Sequence, residues 1–204
     1  MAPPDIVVFD YGFGNVRSAT RAIEEAGGSA TLTADRERAL AADGLLVPGV
    51  GAFSACMRGL SRADGPRIIA ERVSAGRPLL GICVGLQVLF DASDEFDEHT
   101  PGLGIFPGVV GPLDNPVVPH MGWNTVRVAD GSRLFEGVAD RRFYFVHSFA
   151  VPAAPVPGAA VTTCRYGSEF VAAIESGTVA ATQFHPEKSG QAGIQLLRNW
   201  LNTL

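Results

Sequence analysis

The sequence predicts an α/β fold built on one open, mostly parallel twisted sheet with flanking helices and added antiparallel strands. Over the first 90 residues, short apolar runs of strand length alternate with amphipathic segments of helical length. This alternation is typical of a parallel sheet, because each return to a parallel strand needs a crossover that is usually a helix. The length of 204 residues fits a single domain that spans 1–204.

Four apolar runs in the first half predict the strands of that parallel sheet. The first run, 6–10, is apolar up to its last residue, as expected of a strand that helices cover on both faces. The predicted strands are 6–10, 30–33, 45–47 and 78–82, and the predicted helices are 15–26, 35–42, 66–75 and one that runs through Leu86, Leu89 and Phe90. Asn15 is predicted to cap the first helix and Gly27 to end it. The acidic segment 91–98 is predicted to be a solvated loop.

The second half differs from about residue 105 onward. Short strand-like runs follow one another with little helix between them, so we expect antiparallel strands that join the same sheet. These runs are 117–118, 125–128, 142–146, 161–166, 170–174 and 179–183. A last helix is predicted from about Gly190, because Ile194, Leu197, Leu201 and Leu204 recur at helical spacing.

Charge and composition exclude several classes of protein. Sixteen Lys and Arg against 21 Asp and Glu give a net charge of −5, and the basic residues are scattered, so the cationic footprint of a nucleic-acid binder is missing. The sequence shows no signal peptide, and its most apolar stretch, 78–90, is too short to span a bilayer. Three cysteines without a Cys-x-x-Cys pair argue against a disulfide framework or a cysteine zinc site. We therefore expect a cytoplasmic protein with no metal, cofactor, nucleic-acid or membrane partner.

The segment Gly81–Gly85 reads Gly-Ile-Cys-Val-Gly and lies between an apolar strand and a helix. In that context it is a cysteine version of the nucleophile elbow, a tight turn in which glycines avoid side-chain clashes. The turn projects the Cys83 sulfur at the carboxyl end of a strand, where open α/β sheets bind ligands. A helix amino terminus beneath the sulfur would favour the nucleophilic thiolate. Cys83 is therefore the predicted nucleophile, and Cys56 and Cys164 are predicted to be small buried apolar side chains.

A nucleophilic cysteine needs a base, and the base needs a group that orients it. His185 follows the predicted strand 179–183 and so belongs at a carboxyl strand end, as Cys83 does. Glu187 lies two residues later and can accept a hydrogen bond from the imidazole. These residues predict a Cys–His–Glu triad, whereas His99, in the acidic segment, is expected to be exposed.

The oxyanion that forms during acyl transfer needs N–H donors. The amide of Val84, directly after the nucleophile, is one candidate. The second is expected from the loop Gly49-Val50-Gly51, which follows the third predicted strand. Glycines on both sides of Val50 allow its peptide plane to flip at low cost. The loop is therefore predicted to be a switch that is off in the chain alone.

Over its whole length the sequence resembles the class I, triad-type glutamine amidotransferases. The segments that carry this resemblance are Gly81-Ile82-Cys83-Val84-Gly85-Leu86-Gln87 and Phe184-His185-Pro186-Glu187. Three more segments are similar to the glutaminase subunits of imidazole glycerol phosphate synthase: Asp10-Tyr11-Gly12-Phe13-Gly14-Asn15, Pro119-His120-Met121-Gly122-Trp123-Asn124 and His185-Pro186-Glu187-Lys188-Ser189. Phe13, Phe149 and Ala150 depart from the family pattern, and these departures concern packing near the substrate, not the triad.

The resemblance implies hydrolysis of glutamine and delivery of the ammonia to a partner. The implied partner is the (β/α)₈-barrel cyclase subunit of imidazole glycerol phosphate synthase, in a heterodimer, and no cofactor is implied. The implied substrate contacts are Gly51, Gln87, His147, Ser148 and Phe149. The implied partner contacts are Asn15, Trp123, Asn124 and Lys188.

Two other functions remain open. The same scaffold serves other enzymes, such as the glutaminase of an anthranilate-type synthase or a γ-glutamyl peptidase, although the segment 121–124 argues against them. A catalytically silent subunit that regulates a partner is the second alternative, which the complete triad disfavours. Taken singly, Trp123 is more typical of a partly buried core position, His147 of a structural histidine and Lys188 of a solvated cation.

Overall fold

The computed structural model of the chain describes residues 2–204. A seven-stranded central sheet is joined there by helices and two smaller sheets. The elements in chain order are β1 (Asp5–Phe9), α1 (Val16–Ala26), β2 (Ser29–Thr33), α2 (Arg36–Ala41), β3 (Gly44–Gly49), α3 (Phe53–Arg62), α4 (Gly65–Ser74), β4 (Leu79–Cys83), α5 (Val84–Gln87), β5 (Phe90–Glu95), β6 (Glu98–Pro101), β7 (Phe106–Pro112), β8 (His120–Thr125), β9 (Arg142–His147), β10 (Phe149–Ala150), β11 (Ala160–Tyr166), β12 (Ser168–Ser176), β13 (Val179–Thr182), a 3₁₀ turn (Pro186–Lys188) and α6 (Gly190–Leu201).

The central sheet has the strand order β11-β12-β13-β4-β3-β1-β2. The strands from β13 to β2 are parallel, and β11 and β12 add antiparallel pairs at one edge. Every residue of β3 and β4, in the middle of the sheet, is buried. This two-sided burial accounts for their uninterrupted apolar sequences, and the predicted fold class is confirmed.

The observed helix ends agree only in part with those predicted from the sequence. Gly27 ends α1 in the left-handed conformation with φ of 106°, as predicted, but the Asn15 side chain makes no capping hydrogen bond. Asp35 does cap α2, since its carboxylate accepts from the Arg38 N–H at 2.8 Å. Leu204 lies beyond α6 and is 38% exposed, so it does not extend the apolar stripe of that helix. Within residues 2–204, no helix combines the length and apolarity needed to cross a bilayer.

The helix α3 is absent from the sequence prediction. Its buried face consists of Phe53, Cys56, Gly59 and Leu60. Glycine and cysteine mark an apolar face weakly, so the helical period is faint in the sequence. Gly59 is required because a Cβ there would lie 2.7 Å from the Phe13 ring.

The segment after Cys83 was predicted wrongly. The helix expected to run through Phe90 ends at Gln87 after one turn, and Phe90 begins β5. The acidic segment 91–98 is not a solvated loop, because β5 and β6 pair as an antiparallel hairpin. His99 on β6 is exposed, as expected.

The strands of the second half do not all join the central sheet, contrary to the prediction. A separate sheet has the order β10-β7-β5-β6, and β8 and β9 form a two-stranded antiparallel ribbon. The run 117–118 is not a strand, and 125–128 contributes only Thr125 to β8. The ribbon adjoins the carboxyl edge of the central sheet, because the His185 N–H donates to the Tyr144 carbonyl on β9 at 2.9 Å.

Candidate active site

Three strands of the central sheet end at one place. The register pairs Gly49 at the end of β3 with Cys83 at the end of β4, and Thr182 at the end of β13 with Ile82. Because these strands are parallel, their carboxyl ends share one edge of the sheet. Since His185 follows β13 by three residues, this edge brings together the loop, the cysteine and the histidine that the sequence singled out.

Cys83 occupies a strained turn, with φ of 58° and ψ of −114°. Such a conformation is costly for a residue with a side chain and is maintained only by its surroundings. A Cβ on Gly85 would lie 1.9 Å from the Val47 carbonyl oxygen, and one on Gly81 would lie 2.4 Å from the Gly85 oxygen. These approaches are those of a nucleophile elbow. The expected helix beneath the sulfur is only one turn long, so its dipole contributes little.

His185 is held between Glu187 and Cys83. Its Nδ1 lies 2.7 Å from Glu187 Oε1, and both side chains are only 2% exposed. The His185 carbonyl accepts from Ser189 Oγ at 2.7 Å, which fixes the backbone. Burial alone would lower the pKa of His185, but hydrogen bonds with Cys83 and Glu187 and the charges of both raise it to about 9. The imidazole is therefore protonated at neutral pH, with Nδ1 directed at Glu187.

The loop after β3 is tethered by side chains from two other elements. Tyr11 Oη donates to the Pro48 carbonyl at 2.5 Å, and the Cys56 thiol on α3 donates to the Val50 carbonyl at 3.4 Å. Burial raises the pKa of Cys56 to about 11, so this thiol remains a donor. Gly51 has φ of 91°, which favours glycine. The loop is thus held by its carbonyl groups.

A cavity of about 220 Å³ opens at this edge of the sheet. Its volume is below the ~300–1,000 Å³ of drug-sized sites and suits a ligand of amino-acid size. It is lined by Val50, Gly51, Cys83, Val84, Gln87, Glu95, Val146, His147, Ser148, Phe149, His185 and Lys188. All the substrate contacts implied by the family resemblance therefore lie in its wall, together with Cys83 and His185.

Glu95 is a cavity residue that the sequence prediction missed. The sequence predicts a solvated loop there, yet Glu95 lies on β5 and is 7% exposed. Its Oε2 accepts from the Phe53 N–H at 2.9 Å. Burial raises the pKa of Glu95, and the Phe53 hydrogen bond opposes that rise. The sequence does not distinguish one buried acidic residue from its exposed acidic neighbours. The burial of Glu95 becomes apparent only from the β5–β6 hairpin.

Gln183 is a second buried polar residue that the sequence prediction did not identify. Its Nε2 donates to Cys83 Sγ at 3.7 Å, and its Oε1 accepts from Gln87 Nε2 at 3.0 Å. Gln87 Nε2 also donates to the Phe149 carbonyl at 2.9 Å. A line of amide groups thus runs from β10 to the sulfur.

His120 and His147 form a buried pair, of which His147 lies in the cavity wall. His120 Nδ1 lies 3.1 Å from His147 Nε2, and His147 Nδ1 lies 2.9 Å from the Phe149 carbonyl. Burial lowers the pKa of His120 to about 4 and that of His147 to about 3. Both rings are therefore neutral at neutral pH. Because both nitrogens of His147 are engaged, its imidazole has a structural role, and the segment 147–149 faces a ligand through its backbone and Ser148.

The outer face of β8 is apolar and exposed. Met121 is 64% exposed and Trp123 is 52% exposed, so Trp123 is not a core residue. The Trp123 ring meets Tyr144 edge-on at 6.0 Å between centroids, and Lys188 Nζ lies 6.0 Å from the same Tyr144 ring. Two of the expected partner contacts, Trp123 and Lys188, thus flank one tyrosine.

The other two expected partner contacts are less exposed. Asn124 donates through Nδ2 to His120 Nε2 at 3.2 Å and to the Arg165 carbonyl at 3.3 Å. Asn15 precedes α1 and is half-buried. Asn124 therefore connects the surface strand to the buried histidine pair.

A cysteine, a histidine and a glutamate on the strand ends of an α/β sheet are the features of a triad-type amidotransferase, and the chain belongs to the glutamine amidotransferase class-I family, which residues 7–204 match. The imidazole glycerol phosphate synthase subunit HisH of Streptomyces avermitilis is 56% identical over 209 residues, covering 98% of this chain and 96% of that protein. The subunit HisH of Mycobacterium tuberculosis (strain ATCC 25618 / H37Rv) is 55% identical over 206 residues and the full length of both chains. The family predicted from the sequence is thereby confirmed.

Solved structures with low sequence identity share the fold. A crystal structure of a glutamine amidotransferase has a TM-score of 0.76 at 22% identity and covers 97% of each chain. PurLQS from Thermotoga maritima has a TM-score of 0.71 at 21% identity, covering 100% of this chain and 99% of that one. These structures support the architecture alone.

Proposed function

We propose that this chain is the glutaminase subunit of an imidazole glycerol phosphate synthase in histidine biosynthesis. It hydrolyses glutamine to glutamate and ammonia, and the ammonia passes to a (β/α)₈-barrel cyclase subunit in a heterodimer. The proposal is carried by the buried Cys83, His185 and Glu187 at one sheet edge, in a chain 56% identical to a HisH subunit. Residues 1–204 act as one domain, in the cytoplasm.

The first half-reaction forms a thioester. The Cys83 thiolate attacks the carboxamide carbon of glutamine, and the carbonyl electron pair moves onto oxygen. N–H groups of Val84 and of the Gly49-Val50-Gly51 loop stabilise that oxyanion. When the adduct collapses, the C–N bond breaks and protonated His185 gives its proton to the leaving nitrogen, which departs as ammonia.

The second half-reaction consumes water. Neutral His185 takes a proton from a water molecule while the oxygen adds to the thioester carbon. The C–S bond then breaks, which returns the thiolate and releases glutamate. Glu187 keeps the His185 Nδ1–H oriented and stabilises the imidazolium in both halves.

The cavity offers groups that suit the amino-acid end of glutamine. The buried Glu95 supplies a carboxylate for the α-ammonium group. The Gln87 nitrogen is committed to Phe149 and Gln183, so Gln87 meets the substrate through its amide oxygen. Ser148, the backbone of 147–149 and Gly51 provide the remaining contacts.

Glutamate release coupled to ammonia transfer tests this function. The chain mixed with a barrel cyclase subunit and its ribotide substrate should release glutamate and form imidazole glycerol phosphate. A partner from an anthranilate-type synthase should receive no ammonia. Transfer to that partner instead would favour the other glutaminase, and no glutamate release with either partner would indicate a silent regulatory subunit.

Above about pH 9, glutamine hydrolysis and alkylation of the nucleophile should diverge. Ammonia departs with a proton from His185, whose pKa is raised to about 9, so kcat/KM should fall about tenfold per pH unit above that value. A chloromethyl ketone analogue of glutamine loses chloride, which needs no proton, and it carries the same α-ammonium group as glutamine, so its rate of alkylation should fall less steeply than kcat/KM. Both rates are measured on the complex, by glutamate release and by mass spectrometry.

The alkylated peptide identifies the nucleophile in the same experiment. The label should lie on Cys83, because burial raises the pKa of Cys56 to about 11 and that of Cys164 to about 12 and keeps both protonated. Label mainly on either of these residues would contradict the assignment. A parallel fall of both rates above pH 9 would remove His185 as the proton donor.

Trp123→Ala should weaken association with the barrel subunit while leaving the fold intact. An exposed aromatic that a partner covers contributes ~2 kcal/mol or more, about 30-fold in Kd. Calorimetric titration gives Kd, and thermal denaturation gives stability. The matched control is Trp200→Ala, since Trp200 is 1% exposed and its loss should cost ~3–5 kcal/mol of stability. A stability loss of that size for Trp123→Ala, with Kd unchanged, would refute the interface role.

A further inference from the structure

We propose that Gln183 is a positioning residue for Cys83: its side-chain amide donates to the sulfur, and the Phe149 carbonyl, acting through Gln87, fixes the direction of that amide. The inference rests on the proposed role of Cys83 as nucleophile. The contact is 3.7 Å from Gln183 Nε2 to Cys83 Sγ. Gln183 is fully buried and Cys83 nearly so, so water does not compete for the contact.

A thiolate at this elbow needs such a donor. The helix α5 is a single turn, Val84–Gln87, and offers little of the dipole that a longer helix would. His185 supplies a positive charge on one side of the sulfur. Gln183 comes from the strand β13 and adds an N–H donor, which in a buried site is strongest toward a charged acceptor.

An amide can face the sulfur with either end, and only its nitrogen end stabilises a thiolate. Gln183 Oε1 accepts from Gln87 Nε2 at 3.0 Å, and the same Gln87 nitrogen donates to the Phe149 carbonyl at 2.9 Å. A backbone carbonyl can only accept, so Gln87 must turn its nitrogen toward it. Gln183 must then present its oxygen to Gln87 and its nitrogen to Cys83.

A second arm of hydrogen bonds holds the same carbonyl. Asn124 Nδ2 donates to the Arg165 carbonyl and to His120 Nε2, so His120 carries its hydrogen on Nδ1 and donates to His147 Nε2. The remaining His147 N–H, on Nδ1, donates to Phe149 O. A single assignment of hydrogen positions satisfies both sets of hydrogen bonds. The Phe149 carbonyl therefore accepts from His147 on the ribbon side and from Gln87 on the Cys83 side.

Gln183→Met tests the proposal, because methionine keeps the length of the side chain and removes the donor. On the acidic limb of its pH profile, where the thiol predominates, alkylation of Cys83 by iodoacetamide should become about threefold to tenfold slower. A hydrogen bond to a charged group changes the thiolate population by about 10- to 100-fold. The remaining thiolate is more basic and therefore more nucleophilic, and this offsets about half of the logarithm of the loss in rate. For glutamine, kcat should fall while KM is unchanged, because Gln183 does not line the cavity.

Two further variants make the result decisive. Thr182→Val removes another fully buried hydrogen bond of the same segment, from Thr182 Oγ1 to the Phe184 carbonyl at 2.9 Å, and should be alkylated at the wild-type rate. Gln87→Met leaves Gln183 without its orienting donor and should slow alkylation by a smaller factor. If Gln183→Met does not fold, Gln87→Met decides the question.

The proposal is overturned if folded Gln183→Met is alkylated at the wild-type rate or faster, or if Thr182→Val slows alkylation equally. Where only Gln87→Met folds, a wild-type rate in that variant overturns it. Iodoacetamide lacks the α-ammonium and α-carboxylate groups of glutamine, so its rate does not depend on the contacts that bind the amino-acid end of the substrate. Slowed alkylation in a chain that does not hydrolyse glutamine would support the role of Gln183 and refute the proposed function instead.

Discussion

Cys83→Ala and His185→Ala should each lower kcat for glutamine hydrolysis by about 10⁶-fold, the loss seen when one member of a comparable serine–histidine unit is removed. In the proposed mechanism both residues take part in bond making, since Cys83 forms the thioester and His185 carries the proton. Glu187→Gln should cost less, about 10⁴-fold. Its 2.7 Å contact with His185 Nδ1 sets the tautomer and stabilises charge but exchanges no bond with substrate. Steady-state glutamate release by the complex measures all three losses.

The double variant separates a triad from three independent residues. Cys83→Ala combined with His185→Ala should be no slower than Cys83→Ala alone, because the base has no task without the nucleophile. The matched control is Cys164→Ala, which removes another buried thiol, on β11, and should retain full activity. Multiplied losses in the double variant, or an equal loss in the control, would argue against the triad.

The complex with its barrel partner and a bound ribotide should hydrolyse glutamine about 10²–10³ times faster than the chain alone. This is the factor that one missing oxyanion donor costs, and the Gly49-Val50-Gly51 loop is where a donor can be gained. A ligand moves such an equilibrium only by its differential affinity for the two loop states, here a few kcal/mol. Glutamate release is measured for the chain alone, for the complex and for the complex with ribotide.

Alkylation by iodoacetamide provides the internal control for that series. It needs the thiolate but no oxyanion hole, so its rate at Cys83 should be the same in all three samples. A rise in hydrolysis without a rise in alkylation would indicate that the oxyanion loop changes and the reactivity of Cys83 does not. Equal hydrolysis in all three samples would refute the switch. Parallel rises in both rates would indicate that activation acts on the reactivity of the Cys83 sulfur instead.

The elbow was predictable from sequence because its glycines and cysteine stand together in one short segment between a strand and a helix. A Cβ on Gly81 would meet the Gly85 backbone within the turn, whereas a Cβ on Gly85 would meet the Val47 carbonyl on the neighbouring strand β3. The runs of β3 and β4 were predictable because burial on both faces leaves a continuously apolar sequence. A local motif and local patterning therefore indicated the centre of the sheet and the position of Cys83 on it.

Glu95 and Gln183 were not predictable, because their roles depend on contacts distant in the chain. Glu95 is buried by a hairpin and meets the Phe53 N–H, 42 residues away. Gln183 meets Cys83 across 100 residues, and nothing near it in sequence distinguishes it from an ordinary polar strand end. The helix α3 was not predicted for a different reason. Cys56 and Gly59 lie on its buried face and are only weakly apolar, so the helical periodicity of apolar residues is faint.

The neutral histidine pair also limits the acid tolerance of the fold. In the unfolded chain both imidazoles take up protons below about pH 6.5, whereas burial delays protonation in the folded chain to about pH 4 for His120 and about pH 3 for His147. Between these values the unfolded state binds more protons, so the free energy of unfolding falls as the pH falls, by up to ~1.4 kcal/mol per pH unit for each ring. The connection between the ribbon and the active site is therefore also the part of the fold that acidification weakens.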